Sequence, residues 1–273
     1  MFRSSRKPTV TRDSIAEGLR GLGVQPGASL LVHSSLSRFG SVDGGEDAVC
    51  DALLQAVGPD GTVLLPTHTW SSVGAGNPLF NRDTDPCCVG KIPETFRHCP
   101  EVTRGFHPTH SCAGAGPRTD EFLVEHELDV TPCGARSPYQ RLIRAGGFIV
   151  LLGVNLEVNT SYHALEEIAA CPWLFDNYEM LYTVTPDGKQ PVPSLRHAAN
   201  MPRAFESTAP LLREAGVMRE GTIGAATVRV LDAAAMARVL VPKMAQDRYL
   251  LLTPEAARRE RGLFERTVEA RRG

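Results

Sequence analysis

Apolar and polar positions alternate in two rhythms over the first third of the chain. Ile15, Leu19 and Leu22 recur at helical spacing, with Thr11 placed as an N-cap before them and Gly23 as a stop. The stretch "ASLLVHSSL" is then a short apolar run that breaks off into polar residues. Helical spacing returns at Val49, Leu53 and Val57, closed by Gly58-Pro59, and "TVLLPTHTW" is a second apolar run with a polar tip. Strand, helix and strand within about 40 residues predict a βαβ unit with a parallel pair.

Residues 70–90 lose both rhythms and carry glycine, proline and the acidic "NRDTDP". A loop of this length inside a domain predicts a lid or binding loop. "KIPETFRHC" reads as a short helix, "GPRTDEFLVEHEL" as another with Pro117 in its first turn, and "GFIVLLGV" as the most apolar strand. Around Pro186-Asp187-Gly188 the pattern alternates as in a β-hairpin. Beyond it come a helix within 202–216, one strand in "GTIGAATVRVL", a helix in "DAAAMARVLVPKMAQ" and a solvated Arg/Glu-rich helix. Residues 1–273 are thus expected to form a single α/β domain. Its central mixed sheet is flanked by helices, with a smaller β-containing elaboration near residues 178–230.

Composition narrows the function. The hydrophobic share of 42% and charged share of 22% are those of an ordinary globular protein, and 273 residues can bury an ample core. A net charge of −2 argues against nucleic acid as a partner. No apolar run approaches the roughly 18 residues of a membrane span, and "MFRSSRKPTV" lacks the apolar centre of a signal peptide. A cytoplasmic protein is expected, with its seven cysteines reduced. Cys87, Cys88, His98 and Cys99 fit no common zinc spacing, so no metal is expected.

Candidate chemistry gathers at three strand tips, "VHSSLS" (32–37), "PTHTW" (66–70) and "GVNLEVNTSYH" (153–163). Ligands of open α/β sheets bind beyond the carboxyl ends of the strands, and convergence would assemble His33, Ser34, Ser35, Thr67, His68, Thr69 and His163. Taken singly, each tip reads better as a strand end capping the next helix, and only the three together favour a site. His163 has Glu166 at i+3 and Glu167 at i+4, and either carboxylate can orient the imidazole for proton transfer. Residues 145–188 contain no Lys or Arg but six acids, and residues 119–135 contain none but five acids. Acids gathered near a candidate base favour a polycationic substrate.

These blocks carry a resemblance. "VHSSLSRFGSVDGGEDAVCDALLQAVGPDGTVLLPTHTW", "IPETFR", "RGFHPTHSCAGAGP", "SPYQRL" and "LLGVNLEVNTSYHALE" follow in the order seen in the aminoglycoside 3-N-acetyltransferase family. The chain resembles that family over roughly residues 11–170. The resemblance implies the antibiotic N-acetyltransferase fold, acetyl-CoA as acetyl donor and a cationic aminoglycoside as substrate. His163 and Glu166 match the general base and its orienting carboxylate, and Thr69 matches the hydroxyl near the thioester carbonyl. His33, Ser34, Ser35, Leu36 and Ser37 match the loop that receives the pantetheine arm, with His107 and Ser111 nearby. Trp70, Asp83, Glu167 and Asp176 are expected to meet the antibiotic. Cys87-Cys88 and Tyr162 depart from the family pattern.

Amine acetylation by a thioester needs a base and an oxyanion donor rather than a covalent nucleophile, and histidine's ordinary pKa near 6.5 suits the base. Arg38, Lys91 and Arg104 are open alternatives for the CoA phosphates. Two other functions fit the residues: a hydrolase or thioesterase using Cys112 or Cys171, and a non-catalytic aminoglycoside- or polyamine-binding protein. A homodimer is left open.

Overall fold

The period-two pattern of β1 (Ser29–Ser34) divides the protein into two cores. Leu30 and Val32 point to one side of the sheet and Leu31 to the other. β6 (Phe148–Leu152) repeats the division, with Val150 and Leu152 on one face and Ile149 and Leu151 on the other. Both faces are apolar because helices cover both, as expected of buried parallel strands. This computed structural model describes residues 9–199 and 201–270, with side chains to 263. The expectation for the N-terminal segment lies largely outside them.

The parallel centre is β2 (Thr62–Pro66), β1 and β6, in that order. β4 (Thr103–Arg104) and β5 (Cys112–Ala115) extend the β2 edge antiparallel, with β3 (Leu79–Phe80) lying outside this sheet. On the other edge, β9 (Met218–Ile223) and β10 (Ala226–Asp232) form an antiparallel pair against β6. The mixed sheet therefore runs β4-β5-β2-β1-β6-β10-β9, with β7 (Phe175–Thr185) and β8 (Gly188–His197) pairing with β3 in a separate three-stranded sheet.

Helix α1 (Arg12–Gly21) starts with the expected Thr11 cap, which accepts from Ser14 N while Ser14 reciprocates. It packs with α2 (Gly45–Val57) and α3 (Lys91–Phe96) on one face of the sheet. Helices α4 (Thr119–Leu123), α5 (Pro138–Ala145), α6 (Ser161–Ile168), α7 (Ala209–Glu214) and α8 (Ala233–Gln246) cover the other face, and α9 (Pro254–Ala270) runs along the outside. None of the described helices is long and apolar enough to cross a membrane.

Three expectations change. The segment expected as one strand, 221–231, is a hairpin, because the chain reverses at Gly224 with φ +59°. A side chain there would meet Phe39 O at 2.9 Å and Val10 still closer, so the turn needs glycine. Since β9 and β10 join the main sheet, the elaboration is the β7–β8 hairpin with β3, not all of 178–230. The helix expected through 128 stops at Leu123, where Glu125 takes a left-handed φ of 61° and a 3₁₀ turn follows, and Pro117 precedes the helix.

Candidate active site

The carboxyl ends of β2, β1 and β6 lie side by side because those strands are adjacent and parallel. Beyond them opens a cleft of about 560 Å³, walled by α6, the loop after β2 and the β7–β8 hairpin. His33, Ser34, His68, Trp70 and His163 all line it, so the three tips converge.

His163 projects from the first turn of α6. Asn159 Oδ1 accepts from Ser161 N, and Tyr162, one residue before His163, is anchored on the opposite side. Its ring stacks on Phe205 at 4.4 Å between centroids and its hydroxyl meets Thr208 Oγ1 at 2.5 Å. His163 Nδ1 lies 2.6 Å from Glu166 Oε2, which leaves Nε2 for the cleft. Glu166 is fully buried, and its other oxygen lies 3.6 Å from Arg203 Nε. Arg203 also donates to Ala198 O and Met201 O. An imidazole, a buried carboxylate and a guanidinium thus stand in line, and no local signal announced Arg203.

Glu167 turns the other way. Its Oε1 accepts from Cys133 N–H at 2.9 Å and lies 3.0 Å from His197 Nε2, and its Oε2 accepts from the Thr131 hydroxyl at 2.7 Å. Burial pushes its carboxyl up to about 7 against the pull of these donors. The structure thus separates the two alternatives that helical spacing left equal: Glu166 faces His163 and Glu167 faces His197.

Six of the eight histidines form one contact network. His126, His107, His110, His197 and His163 follow one another at centroid distances between 4.2 and 6.1 Å, and His68 packs on His110. Burial holds His126 and the separate His33 down to about 3, and His68, His107, His110 and His197 well below the ordinary value. An unfolded chain binds protons on these groups below about pH 6.5, and the folded chain does not. Their stabilising contribution is therefore present above that pH and is lost as pH falls toward 3. Glu167, raised, works oppositely: it favours folding at low pH, and that contribution fades as pH rises toward 7. Six neutral imidazoles outweigh the carboxyls that burial raises, Glu167 with Glu127 and Asp129. Thermal melts should fall steadily from pH 7 to 5, each such histidine costing up to about 1.4 kcal/mol per pH unit. An unchanged melting temperature at pH 5 would show that these rings accept protons in the fold.

Other expected residues separate into layers. Thr69, His107 and Ser111 are buried and do not line the cleft. The Thr69 hydroxyl donates to Pro108 O, His107 Nδ1 accepts from Thr109 and His110 N–H, and Ser111 bonds to Thr67. Ser35, Leu36 and Ser37 form the turn after β1, with Ser35 N–H on Leu152 O. Asp83 belongs to a second, smaller cavity of about 290 Å³ with Arg82, Arg97 and Arg104, and Asp176 is exposed on β7 near Arg203. The acids that do line the cleft are Glu157 and Glu179, the latter 3.3 Å from Arg196. Both lie in the base-free stretch, where the sequence had no means of ranking them.

Of the three basic candidates, Arg104 is buried and donates to Thr67 O, Arg82 O and Asp85 O, which makes it a structural clamp. Lys91 pairs with Glu46 at 2.7 Å, and Arg38 lies exposed beside Gly153. Cys112 and Cys171 are buried thiols pushed up to about 12 by burial, inert as nucleophiles. Cys87, His98 and Cys99 make separate contacts, with Gly90 O, Glu94 and Thr95 O. Cys88 lines the cleft. At the β1 tip, Ser34 Oγ and His33 Nε2 are buried polar atoms without a protein partner.

Comparisons with known proteins place the fold in a family. The aminoglycoside 3-N-acetyltransferase family matches residues 31–245. Aminoglycoside N(3)-acetyltransferase VIII of Streptomyces fradiae is 32% identical over 259 residues, spanning 84% of this chain and 90% of that protein. Among solved structures, AAC-IIIb in binary complex with CoASH superposes with a TM-score of 0.78 at 28% identity, covering 90% of this chain and 99% of that one. A histidine-to-alanine variant of AAC(3)-IVa in complex with a gentamicin gives a TM-score of 0.82 at 26% identity, covering 93% and 95%. With its cleft, strand tips and His163–Glu166 pair laid over this fold, the chain belongs to the aminoglycoside 3-N-acetyltransferase family.

Proposed function

We propose that this protein transfers the acetyl group of acetyl-CoA directly to the 3-amino group of an aminoglycoside, with His163 as general base and Glu166 as its orienting carboxylate. The observation that carries the reading is the 2.6 Å contact between His163 Nδ1 and a fully buried Glu166, which fixes the tautomer and leaves Nε2 toward the cleft. In this reading Nε2 takes a proton from the attacking amine. The N–C bond forms, the C–S bond breaks, and His163 passes the proton to the departing thiolate. Glu166 compensates the transient imidazolium, and Arg203 balances Glu166 when His163 is neutral.

Fit to the acetyl donor rests on the β1 tip. His33 and Ser34 line the cleft, and their Nε2 and Oγ atoms, buried and without a hydrogen-bond partner among the described residues, suit a pantetheine amide or the developing oxyanion. With the Thr69 hydroxyl directed to Pro108 O, Ser34 is the better placed donor. The similarity to a CoASH complex supports this co-substrate.

For the antibiotic, Glu157, Glu179 and the half-exposed Trp70 offer carboxylates and an apolar face, a combination suited to an aminated sugar. Incubation with acetyl-CoA and a panel of aminoglycosides should release free thiol in proportion to antibiotic. Failure with every aminoglycoside would sink the reading. Contacts between ammonium and partly exposed carboxylate are screened within about 8–10 Å at physiological salt. The aminoglycoside KM should therefore climb severalfold between low and high salt, while that for acetyl-CoA changes little. A flat aminoglycoside KM would count against acid-based recognition.

A further inference from the structure

Three side chains that the proposed chemistry does not use stand together behind His163. Cys133 comes from the loop before α5, Glu167 from α6 and His197 from the end of β8. The Cys133 Sγ, Glu167 carboxylate and His197 Nε2 ligand atoms lie within 4.8 Å of one another. They are brought together from three separate elements.

We propose that Cys133, Glu167 and His197 form a zinc-binding site whose occupancy inhibits acetyl transfer. A thiolate, an imidazole and a carboxylate suit zinc, whereas calcium and magnesium prefer all-oxygen sites. Donors around one tetrahedral zinc stand about 3.5 Å apart. His197 Nε2 and Glu167 Oε1 are already 3.0 Å apart. The sulfur has to close in by about an ångström at most, and its hydrogen bond to Thr160 O, at 4.0 Å, is weak enough to yield. Glu167 is also held from behind by the Thr131 hydroxyl and the Cys133 N–H, the kind of support that orients metal ligands.

Proton accounting closes without a co-reactant. The Cys133 thiol releases its proton to water as sulfur binds the ion, and Glu167 releases one where it is protonated. The His197 proton shifts from Nε2 to Nδ1. Because the thiol must lose its proton to bind the ion, zinc affinity should rise with pH.

Three protein ligands leave a fourth position, and His197 lines the cleft with its ring 4.5 Å from that of His163. Zinc that displaces the Cys133 proton raises the local charge by one where Glu167 is already ionised, which disfavours both the imidazolium of His163 and the approach of a cationic antibiotic. Inhibition should compete with the aminoglycoside and not with acetyl-CoA. This last step rests on the proposed function; the binding itself does not.

Cobalt separates the two. One equivalent of Co²⁺ added to the metal-free full chain should produce a near-ultraviolet thiolate-to-cobalt charge-transfer band. Zinc should displace it, and Cys133→Ser and Cys133→Ala should both lack it. Zinc should inhibit the wild type, reversibly with chelator. Each variant, measured against its own zinc-free rate, should need more than about tenfold higher zinc. No charge-transfer band in the wild type, or an undiminished band in both variants, would overturn the site whether or not the chain acetylates anything. A band with no inhibition of an active enzyme would overturn the regulatory half.

Discussion

His163→Ala should lower the transfer rate by about 10²–10⁴-fold, the contribution of a positioned general base. The ring is about a quarter exposed at the cleft wall, and α6 is anchored by Tyr162 on Phe205, so the truncation should leave the fold intact. Acetyl-CoA binding, which the reading assigns to the β1 tip, should also persist. The measurement is single-turnover thiol release alongside a thermal melt and acetyl-CoA binding. Above about a tenth of the wild-type rate in a folded variant, the base lies elsewhere. His110 and His197 would then be the first to test, since His68 Nε2 is engaged by Tyr139 OH at 2.6 Å.

Glu166→Gln should damage both stability and rate. The carboxylate is fully buried between His163 and Arg203, so neutralising it deprives the largely buried Arg203 of its paired anion and leaves the exposed Asp176 as the nearby acid. Removing one member of a buried ion pair costs roughly 3–5 kcal/mol. The lower end is expected here, because Arg203 keeps the carbonyls of Ala198 and Met201. Catalysis should fall less than in His163→Ala, because the proton acceptor survives while its orientation and compensating charge weaken. Denaturant titration of Glu166→Gln and of Glu166→Gln/Arg203→Met separates the causes. If the double variant regains much of the lost stability yet stays slow, the charge balance and the orienting role are distinct. A single variant as stable and fast as wild type would remove Glu166 from the mechanism.

What the sequence determined by itself is what short-range geometry controls. The Thr11 cap, the α1 and α2 faces and the β1–α2–β2 unit follow from spacings of a few residues and from stop signals at glycine and proline. The pairing of His163 with a glutamate is also local, because i+3 and i+4 neighbours share one helix face. So is the convergence of strand tips, once two adjacent parallel strands are accepted.

Only the tertiary structure decided which glutamate serves which histidine. Both spacings are sterically open, and the choice fell to Arg203 on one side and to Thr131, Cys133 and His197 on the other, residues about 30 positions or more away in sequence. The same holds for Glu157 and Glu179, which face the cleft while Asp176 does not, since every acid in that base-free stretch reads alike until the β7–β8 hairpin is docked. Thr69 belonged to a legible strand tip, yet which way its hydroxyl points is set by a carbonyl 39 residues on. The β9–β10 hairpin was missed because one glycine inside a continuous run does not by itself mark a turn, and Val10 and Phe39 packed against it are what make glycine necessary there. Local spacing specifies a side chain's face, while its partner depends on which distant element packs there.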